Sequence, residues 1–375
     1  MNSESSLKLY NDLGVKPVIN ALGGNMTLLG GSILSPRVNA AMELANRYYV
    51  QMEELLDKSG EIIAEYFGAE AAYVTPGCAA ALVLGAAACM AETDIEKIER
   101  LPDVTGSKHE IIIQKRLRYK YDRCLTVPGA KLVEVGDASG TTADQLEAAI
   151  GPNTVAITHL APGVGDGIVS LEEVIKTGKE HGLPIIVDAA AQVYPLEILK
   201  KYTGMGADIV CYGAKYFGSP HSTGVLCGRR DLVESVKRQG FIGFETHPYR
   251  SIGRPLKVDR QEIIGVVIAL QEWVAMDHLS RIESYDRRVR NLQKGFQGVA
   301  HVKAMPQQAS GPAESIRLTF DEKAVGKSVI DIADALREGN PRILVRTSDD
   351  TITISTRTIL DGDEEIIADR LKGLL

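Results

Sequence analysis

Pro184-Ile185-Ile186-Val187-Asp188 and, ending 27 positions after that Asp, Gly206-Ala207-Asp208-Ile209-Val210-Cys211-Tyr212-Gly213-Ala214-Lys215 are the stretches on which the fold is read. Each carries a short apolar run bounded by turn residues and closed by a small or charged group, the pattern of a strand in a buried parallel sheet. Taken singly, neither end is diagnostic. Asp188 reads equally well as a helix N-cap, and most lysines are solvated surface residues. Together they describe a specific chemistry. A lysine forms a Schiff base with a carbonyl cofactor, and an Asp at a strand end can keep a pyridine nitrogen protonated so that the ring draws electrons.

A third segment lies upstream, Ala71-Ala72-Tyr73-Val74-Thr75-Pro76-Gly77-Cys78-Ala79-Ala80-Ala81-Leu82. It reads as a strand, a Pro-Gly turn and an Ala-rich helix. Small residues at a helix start let backbone N–H groups approach an anion, which the helix dipole also favours. An ordinary strand-turn-helix crossover has the same look. In chain order, though, a phosphate cup, a pyridine carboxylate and a Schiff-base lysine form one set, and the expected cofactor is pyridoxal 5'-phosphate.

Outward from these segments, strand-like runs fall at 71–74, 110–113, 131–135, 154–158, 184–188, 208–211 and 223–227, alternating with helical patterns such as Leu171-Glu172-Glu173-Val174-Ile175-Lys176. Such alternation predicts an α/β fold, a mostly parallel sheet of about seven strands with helices on both faces. Ligands in such sheets gather at the strand carboxyl ends, where Thr75, His159 and Asp188 fall. Residues 1–34, with turns at Gly23-Gly24-Asn25 and Gly30-Gly31-Ser32, are expected to form an irregular N-terminal arm. A helix starts at Ser35 (N-cap) and Pro36 and runs in one or two pieces to Gly68. The large cofactor domain is expected to span 35–258. Residues 259–375 then supply a long linking helix, from Asp259 through Trp273 to about Gly295, and a small C-terminal α+β domain. That domain should hold strands near 301–305, 315–319, 342–346 and 351–355, with helices near 326–337 and 362–374.

With 375 residues, 45% hydrophobic and 24% charged, the composition is that of a soluble globular chain able to bury a sizeable core. A formal net charge of -7 argues against a general nucleic-acid binder. The cysteines at 78, 89, 124, 211 and 227 are odd in number and lack a C-x-x-C pair, so they read as reduced thiols, with neither a disulfide framework nor a metal site expected. Cys78 differs from the rest because a helix start can lower a thiol's pKa. No run has signal-peptide character or membrane-spanning length, and the cytoplasm is the expected compartment.

Several of these stretches carry a resemblance to a known family. The chain resembles the SelA-like group of fold-type-I pyridoxal phosphate enzymes, which includes L-seryl-tRNA(Sec) selenium transferase and D-glucosaminate-6-phosphate ammonia-lyase. The resemblance rests on Leu13-Gly14-Val15-Lys16-Pro17-Val18-Ile19-Asn20-Ala21, Leu29-Gly30-Gly31-Ser32, Gly68 to Gly77, Val187-Asp188-Ala189-Ala190-Ala191-Gln192, Gly224 to Leu232 and Ile252-Gly253-Arg254-Pro255-Leu256-Lys257-Val258-Asp259. It implies a homodimer or larger homo-oligomer with the active site at a subunit interface. It also implies that catalytic Lys215 holds the aldehyde, that Asp188 pairs the ring nitrogen, and that Gly77, Cys78 and Ala79 contact the phosphate. Ala190, Tyr212, Ser222 and Thr223 join the cofactor-binding set, the last two reaching a neighbour's cofactor, and Asn20 joins the substrate-binding set. Two departures stand out. The group's Ser-Gly-Gly-Lys reads Tyr212-Gly213-Ala214-Lys215, and a His-Arg pair of many relatives reads Leu117-Arg118, ahead of Tyr121-Asp122.

Substrate contacts are expected from three further places. Lys115-Arg116-Leu117-Arg118-Tyr119-Lys120-Tyr121-Asp122-Arg123 is either a solvated face or an anion clamp in which Arg116 or Arg118 grips an acidic group. In the small domain Arg357, in preference to Arg346, is placed on the substrate α-carboxylate. His159 ends a strand just before the flexible Ala161-Pro162-Gly163-Val164-Gly165-Asp166-Gly167. The expected activity is that of a lyase performing α,β-elimination on a small polar or anionic amino acid or amino-sugar acid. A racemase, epimerase or transferase uses the same carbanion chemistry, and a catalytically silent binding protein is the reading from another class.

Overall fold

The computed structural model describes residues 3–308 and 311–375, which divide into two compact units, 1–31 with 276–375 and 32–275. The strands, in chain order, are β1 (Val18–Asn20), β2 (Ala71–Thr75), β3 (Glu110–Gln114), β4 (Lys131–Val135), β5 (Thr154–Leu160), β6 (Ile185–Asp188), β7 (Ile209–Gly213), β8 (Gly224–Gly228), β9 (Val302–Gln307), β10 (Ser315–Phe320), β11 (Arg342–Leu344), β12 (Arg346–Ser348) and β13 (Thr351–Ser355).

The larger unit is built on a seven-stranded sheet in the order β2-β8-β7-β6-β5-β3-β4. Pairing is parallel from β4 through β7, while β8 runs antiparallel to both β7 and β2. This one reversed strand decides where the site lies. Gly213 at the end of β7 and Thr75 at the end of β2 both pair with Gly224 at the start of β8. Leu160 at the end of β5 pairs with Asp188 at the end of β6. Thr75, Gly224, Gly213, Asp188 and Leu160 therefore share one edge of the sheet, the edge where crossover loops meet and ligands bind.

The central strands are apolar throughout, and Ile209, Val210, Val225, Leu226, Ile186 and Val187 are fully buried. The Ala-rich helix Gly77–Ala91 is buried along nearly its whole length, since alanine and Gly85 let it lie close on β7 and β8. The first helix of this unit starts as its sequence demands. Ser35 accepts a hydrogen bond from Val38 N, Pro36 occupies the first turn, and the helix stops at Ala45. A second helix, Met52–Phe67, ends at Gly68, whose φ of +59° closes it. Arg260–Ala275, expected to begin a linker, packs six buried residues inside this unit, and Trp273 Nε1 donates to Val193 O at 2.9 Å. The expected single long helix is broken at Met276-Asp277, where the Asp277 side chain caps a new helix, His278–Gly295, by accepting from Ser280 N.

The smaller unit holds a four-stranded antiparallel sheet, β12-β13-β10-β9, with alternating burial along β10 and β13. The N-terminal segment, expected to be irregular, begins with a helix, Ser3–Asp12, and supplies β1, which pairs in parallel with β11 so that Val18 faces Arg342. A three-residue strand whose partner lies more than three hundred residues away leaves no local signal. Among the described residues no single helix is long and apolar enough to cross a membrane.

Candidate active site

Asp188 is the last residue of β6 and is only 4% exposed. Its carboxylate is engaged from three sides. Oδ1 accepts from Ala190 N at 2.9 Å and from the Cys78 thiol at 3.6 Å, and Oδ2 accepts from the Tyr119 hydroxyl. Burial pushes the Asp188 carboxyl above the usual carboxylate range, while the Tyr119, Ala190 and Cys78 donors pull it back. The same burial, with the Asp188 charge beside them, raises Cys78 and Tyr119, so both remain protonated donors. The lowered thiol pKa expected at a helix start is overturned here, because burial first and the Asp188 charge second push the Cys78 thiol up.

Gly77 and Cys78, both half-buried, open the Gly77–Ala91 helix, and the exposed Ala79 follows in its first turn. Gly77 sits at φ +87°, and Thr75 Oγ1 donates to its carbonyl at 3.0 Å. The start of β8 presses directly on this turn. A Cβ on Gly224 would lie 2.4 Å from Gly77 C and 2.6 Å from Cys78 N. The result is a helix N-terminus whose first amide groups have no competing side chain, joined through Cys78 to the Asp188 carboxylate.

Lys215 lies in the short turn Ala214–Phe217 that leaves β7, with Nζ 5.2 Å from the centre of the Tyr216 ring. Its ammonium pKa is lowered by burial. His221 also feels Lys215. Burial and then the lysine's charge lower its pKa, and its buried Nδ1 has no hydrogen-bond partner. Lys215, Asp188, Ala190, Gly77, Cys78 and Ala79 thus all belong to the same strand-end edge of one unit. The fit to pyridoxal phosphate rests on this donor set, with an anion-accepting helix start kept free of side-chain bulk, a buried carboxylate, and an amine whose proton is loosened.

Other residues singled out from the sequence have their side chains engaged by other partners in this chain. Tyr212 is fully buried, packs against Phe67 in a tilted pair with ring centres 4.5 Å apart and donates to Leu199 O at 3.3 Å, which makes it a core residue turned away by the alternation of β7. Thr223 is buried and spends its hydroxyl on Pro220 O at 2.7 Å and Ser219 Oγ at 2.8 Å. Ser222 is exposed and donates to Glu262. Arg118 is held by Asp122 at 2.5 Å and Glu134 at 2.8 Å, and Arg116 donates to Asp166 O at 2.6 Å, so part of the basic run is tied to its own neighbours.

His159, at the end of β5, is fully buried with neither ring nitrogen hydrogen-bonded. Burial lowers its pKa to about 4, whereas the Glu172 charge and the backbone at Pro162 and Gly163 act in the other direction. Gly163 lies so near that its Cβ would come within 2.1 Å of His159 Nε2.

In the smaller unit, Asn20 turns the chain by donating to Gly24 O at 3.0 Å, and its own carbonyl accepts from Thr358 Oγ1 at 2.7 Å. Arg357, one residue earlier, is exposed and lies 3.6 Å from Glu314. Asn20 and Arg357 therefore occupy one neighbourhood of that unit. Sequence reasoning passed over Tyr119, although it stands inside the basic run that was singled out. Its distance from Asp188 in the chain, 69 residues, concealed the contact.

Comparison with known proteins adds a family to this geometry. Residues 18–360 match the family described as "SelA: L-seryl-tRNA selenium transferase". The 5'-C-glycyluridine monooxygenase-decarboxylase of a Streptomyces species is 33% identical, the alignment covering 98% of this chain and 92% of that protein. The D-glucosaminate-6-phosphate ammonia lyase of Salmonella typhimurium (strain 14028s / SGSC 2262) is 29% identical over 98% of this chain and 97% of its own. A solved structure of D-glucosaminate-6-phosphate ammonia-lyase superimposes with a TM-score of 0.88 at 27% identity, covering 98% of this chain and 97% of that one.

Proposed function

The chain belongs to the SelA family, and from that membership we propose that it is a pyridoxal-phosphate-dependent lyase acting at Cα of an amino-sugar acid or a comparably polar amino acid. The observation that carries this reading is the shared strand-end edge that holds Asp188, Lys215 and the start of the Gly77–Ala91 helix. In this reading the amides of Gly77, Cys78 and Ala79 hold the cofactor phosphate, Asp188 holds the ring nitrogen and Lys215 holds the aldehyde carbon. When bound, the cofactor supplies an electron-withdrawing ring that makes the proton on the substrate Cα acidic.

The chain's own residues do the rest. Burial lowers the Lys215 pKa, so that its amine takes the Cα proton more readily than a solvated lysine would. Asp188 is pinned through Oδ1 by Ala190 N, and Oδ2, to which Tyr119 donates here, is the oxygen assigned to a cationic N–H. Arg357 from the smaller unit is assigned to the substrate α-carboxylate, and Arg116 is better suited than the doubly paired Arg118 to a distal anionic group.

The substrate class is supported by what the relatives' names share. D-glucosaminate 6-phosphate and 5'-C-glycyluridine are both amino acids built on a sugar framework. The Streptomyces name also denotes a decarboxylation, which favours loss of carbon dioxide as the second reading.

We assign a homodimer or larger homo-oligomer. Support comes from the exposed apolar run that follows the Pro36–Ala45 helix, where Tyr48 and Tyr49 are 79% and 95% exposed beside Leu44 and Val50.

The test is a panel of D- and L-amino acids and amino-sugar acids assayed for ammonia, 2-oxo acid and carbon dioxide. Ammonia with 2-oxo acid is the expected product pair, carbon dioxide supports the second reading, and a racemised substrate without either product refutes the lyase. Borohydride reduction of the loaded protein should leave the pyridoxyl group on Lys215, and a label on another lysine refutes that assignment.

A further inference from the structure

We propose that Tyr119 is a placeholder for the cofactor ring, its phenol holding Asp188 Oδ2 until the ring nitrogen takes that oxygen and the side chain turns aside. The inference rests on the reading that the cofactor is seated on Asp188, and it assigns a loading role to a residue outside the cofactor-binding set.

Four observations converge on it. First, Asp188 Oδ1 is committed to Ala190 N and the Cys78 thiol, leaving Oδ2 as the oxygen that can receive a ring N–H, and Tyr119 donates to that same atom. Second, Asp188 is only 4% exposed, so a carboxylate shielded in this way needs a donor on Oδ2 or it stays buried with unmet hydrogen-bonding capacity. Third, Tyr119 itself is only partly buried, so its ring has a route toward solvent that Asp188 lacks.

Fourth, the main chain of Tyr119 is fixed. Its N–H donates to Asp122 Oδ2 at 3.1 Å, and Asp122 is clamped by Arg118, which also reaches Glu134. The side chain can therefore rotate about Cα–Cβ without dragging the loop, and it returns to the same place when the cofactor leaves. This also gives Arg118 a purpose other than substrate binding, since its double pairing holds the pivot. The exposed Tyr121 ring lies 6.0 Å from that of Tyr119, centre to centre.

Tyr119→Phe separates this role from others, because it removes the hydroxyl and keeps the ring. Pyridoxal 5'-phosphate binding to the cofactor-free protein is measured by equilibrium dialysis and by the rate at which the absorbance of the bound cofactor grows. If the phenol competes for Oδ2, Tyr119→Phe binds the cofactor about tenfold more tightly and loads it faster, the size expected for one charge-assisted hydrogen bond that no longer has to be broken. An unchanged or weaker affinity overturns the placeholder, because it means that the hydroxyl is neutral toward the bound cofactor or supports it.

Asp188→Ala, run alongside, tests the underlying site. If it binds the cofactor as well as the unaltered chain does, the seat on Asp188 is wrong and the placeholder falls with it. If it loses binding while Tyr119→Phe gains none, the seat stands and only the placeholder fails. Thermal melting of both cofactor-free variants confirms that folded protein is being compared.

Discussion

Replacing Gly224 by Ala tests whether the close approach of β8 to the helix start is what makes the phosphate cradle. The added Cβ would meet Gly77 C at 2.4 Å, Cys78 N at 2.6 Å and Gly77 O at 2.8 Å. All three are backbone atoms, so no flexible side chain can move out of the way. Carbon atoms sit comfortably at about 3.5–4.0 Å, so the first turn of the helix has to retreat by about 1 Å. Overpacking of that kind costs about 1–3 kcal/mol.

The helix amides that would hold the phosphate move with it, and losing the alignment of one charge-assisted hydrogen bond costs about 1.5–3 kcal/mol, or tenfold and upward in affinity. Gly77→Ala supplies the contrast. Its Cβ would meet only Ser222 O, at an ordinary 3.7 Å, but φ is +87°, so the penalty there is conformational, about 1–2 kcal/mol. Urea unfolding of the cofactor-free proteins and equilibrium dialysis with pyridoxal 5'-phosphate read the two effects. Gly224→Ala should lower both stability and affinity. If it binds the cofactor like the unaltered chain, the cradle is not at this turn.

Four further outcomes are expected. Arg357→Ala should weaken substrate capture by more than about tenfold and leave cofactor absorbance intact. Arg118→Ala should instead cost roughly 1 kcal/mol of stability by unpairing the buried Asp122, and normal substrate kinetics for Arg357→Ala would remove its carboxylate role.

His159 stays neutral in the folded chain down to about pH 4, whereas an unfolded histidine takes its proton near 6.5. Between those values the unfolded state binds the extra proton. Stability should therefore fall as pH drops from about 6.5 toward 4, by at most about 1.4 kcal/mol per pH unit. Urea melts across that range should show the slope, and His159→Gln should flatten it. An equal slope in the variant assigns the effect to other groups.

Finally, Tyr48→Glu with Tyr49→Glu should lower the oligomeric state in sedimentation velocity, and an unchanged assembly would place the interface elsewhere.

Much of the larger unit is legible in the chain because its signals are local. Apolar runs bounded by turn residues placed β3, β4 and β5 with the same starting residues as the structure, and Ser35, Pro36 and Gly68 marked helix ends through their own backbone preferences. The candidate site was readable only in part. Asp188 and Lys215 announce themselves by standing at strand ends, as does the small-residue helix start at Gly77. Nothing local indicates that Tyr212, three residues before Lys215, faces the core, or that Arg118 reaches Glu134 as well as Asp122.

The sequence by itself determined the periods, the caps and the residue types at the strand ends, because those depend on neighbours within a few positions. Only the tertiary structure decided the rest. The reversed direction of β8, which brings Gly224 onto Gly77, is set by which edges pair in the sheet. The pairing of β1 with β11 and the seat of Tyr119 on Asp188 join residues far apart in the chain. Such contacts form only after the backbone entropy of the intervening residues has been overcome, and they follow from how buried polar groups find partners in the packed chain, which no window of sequence contains.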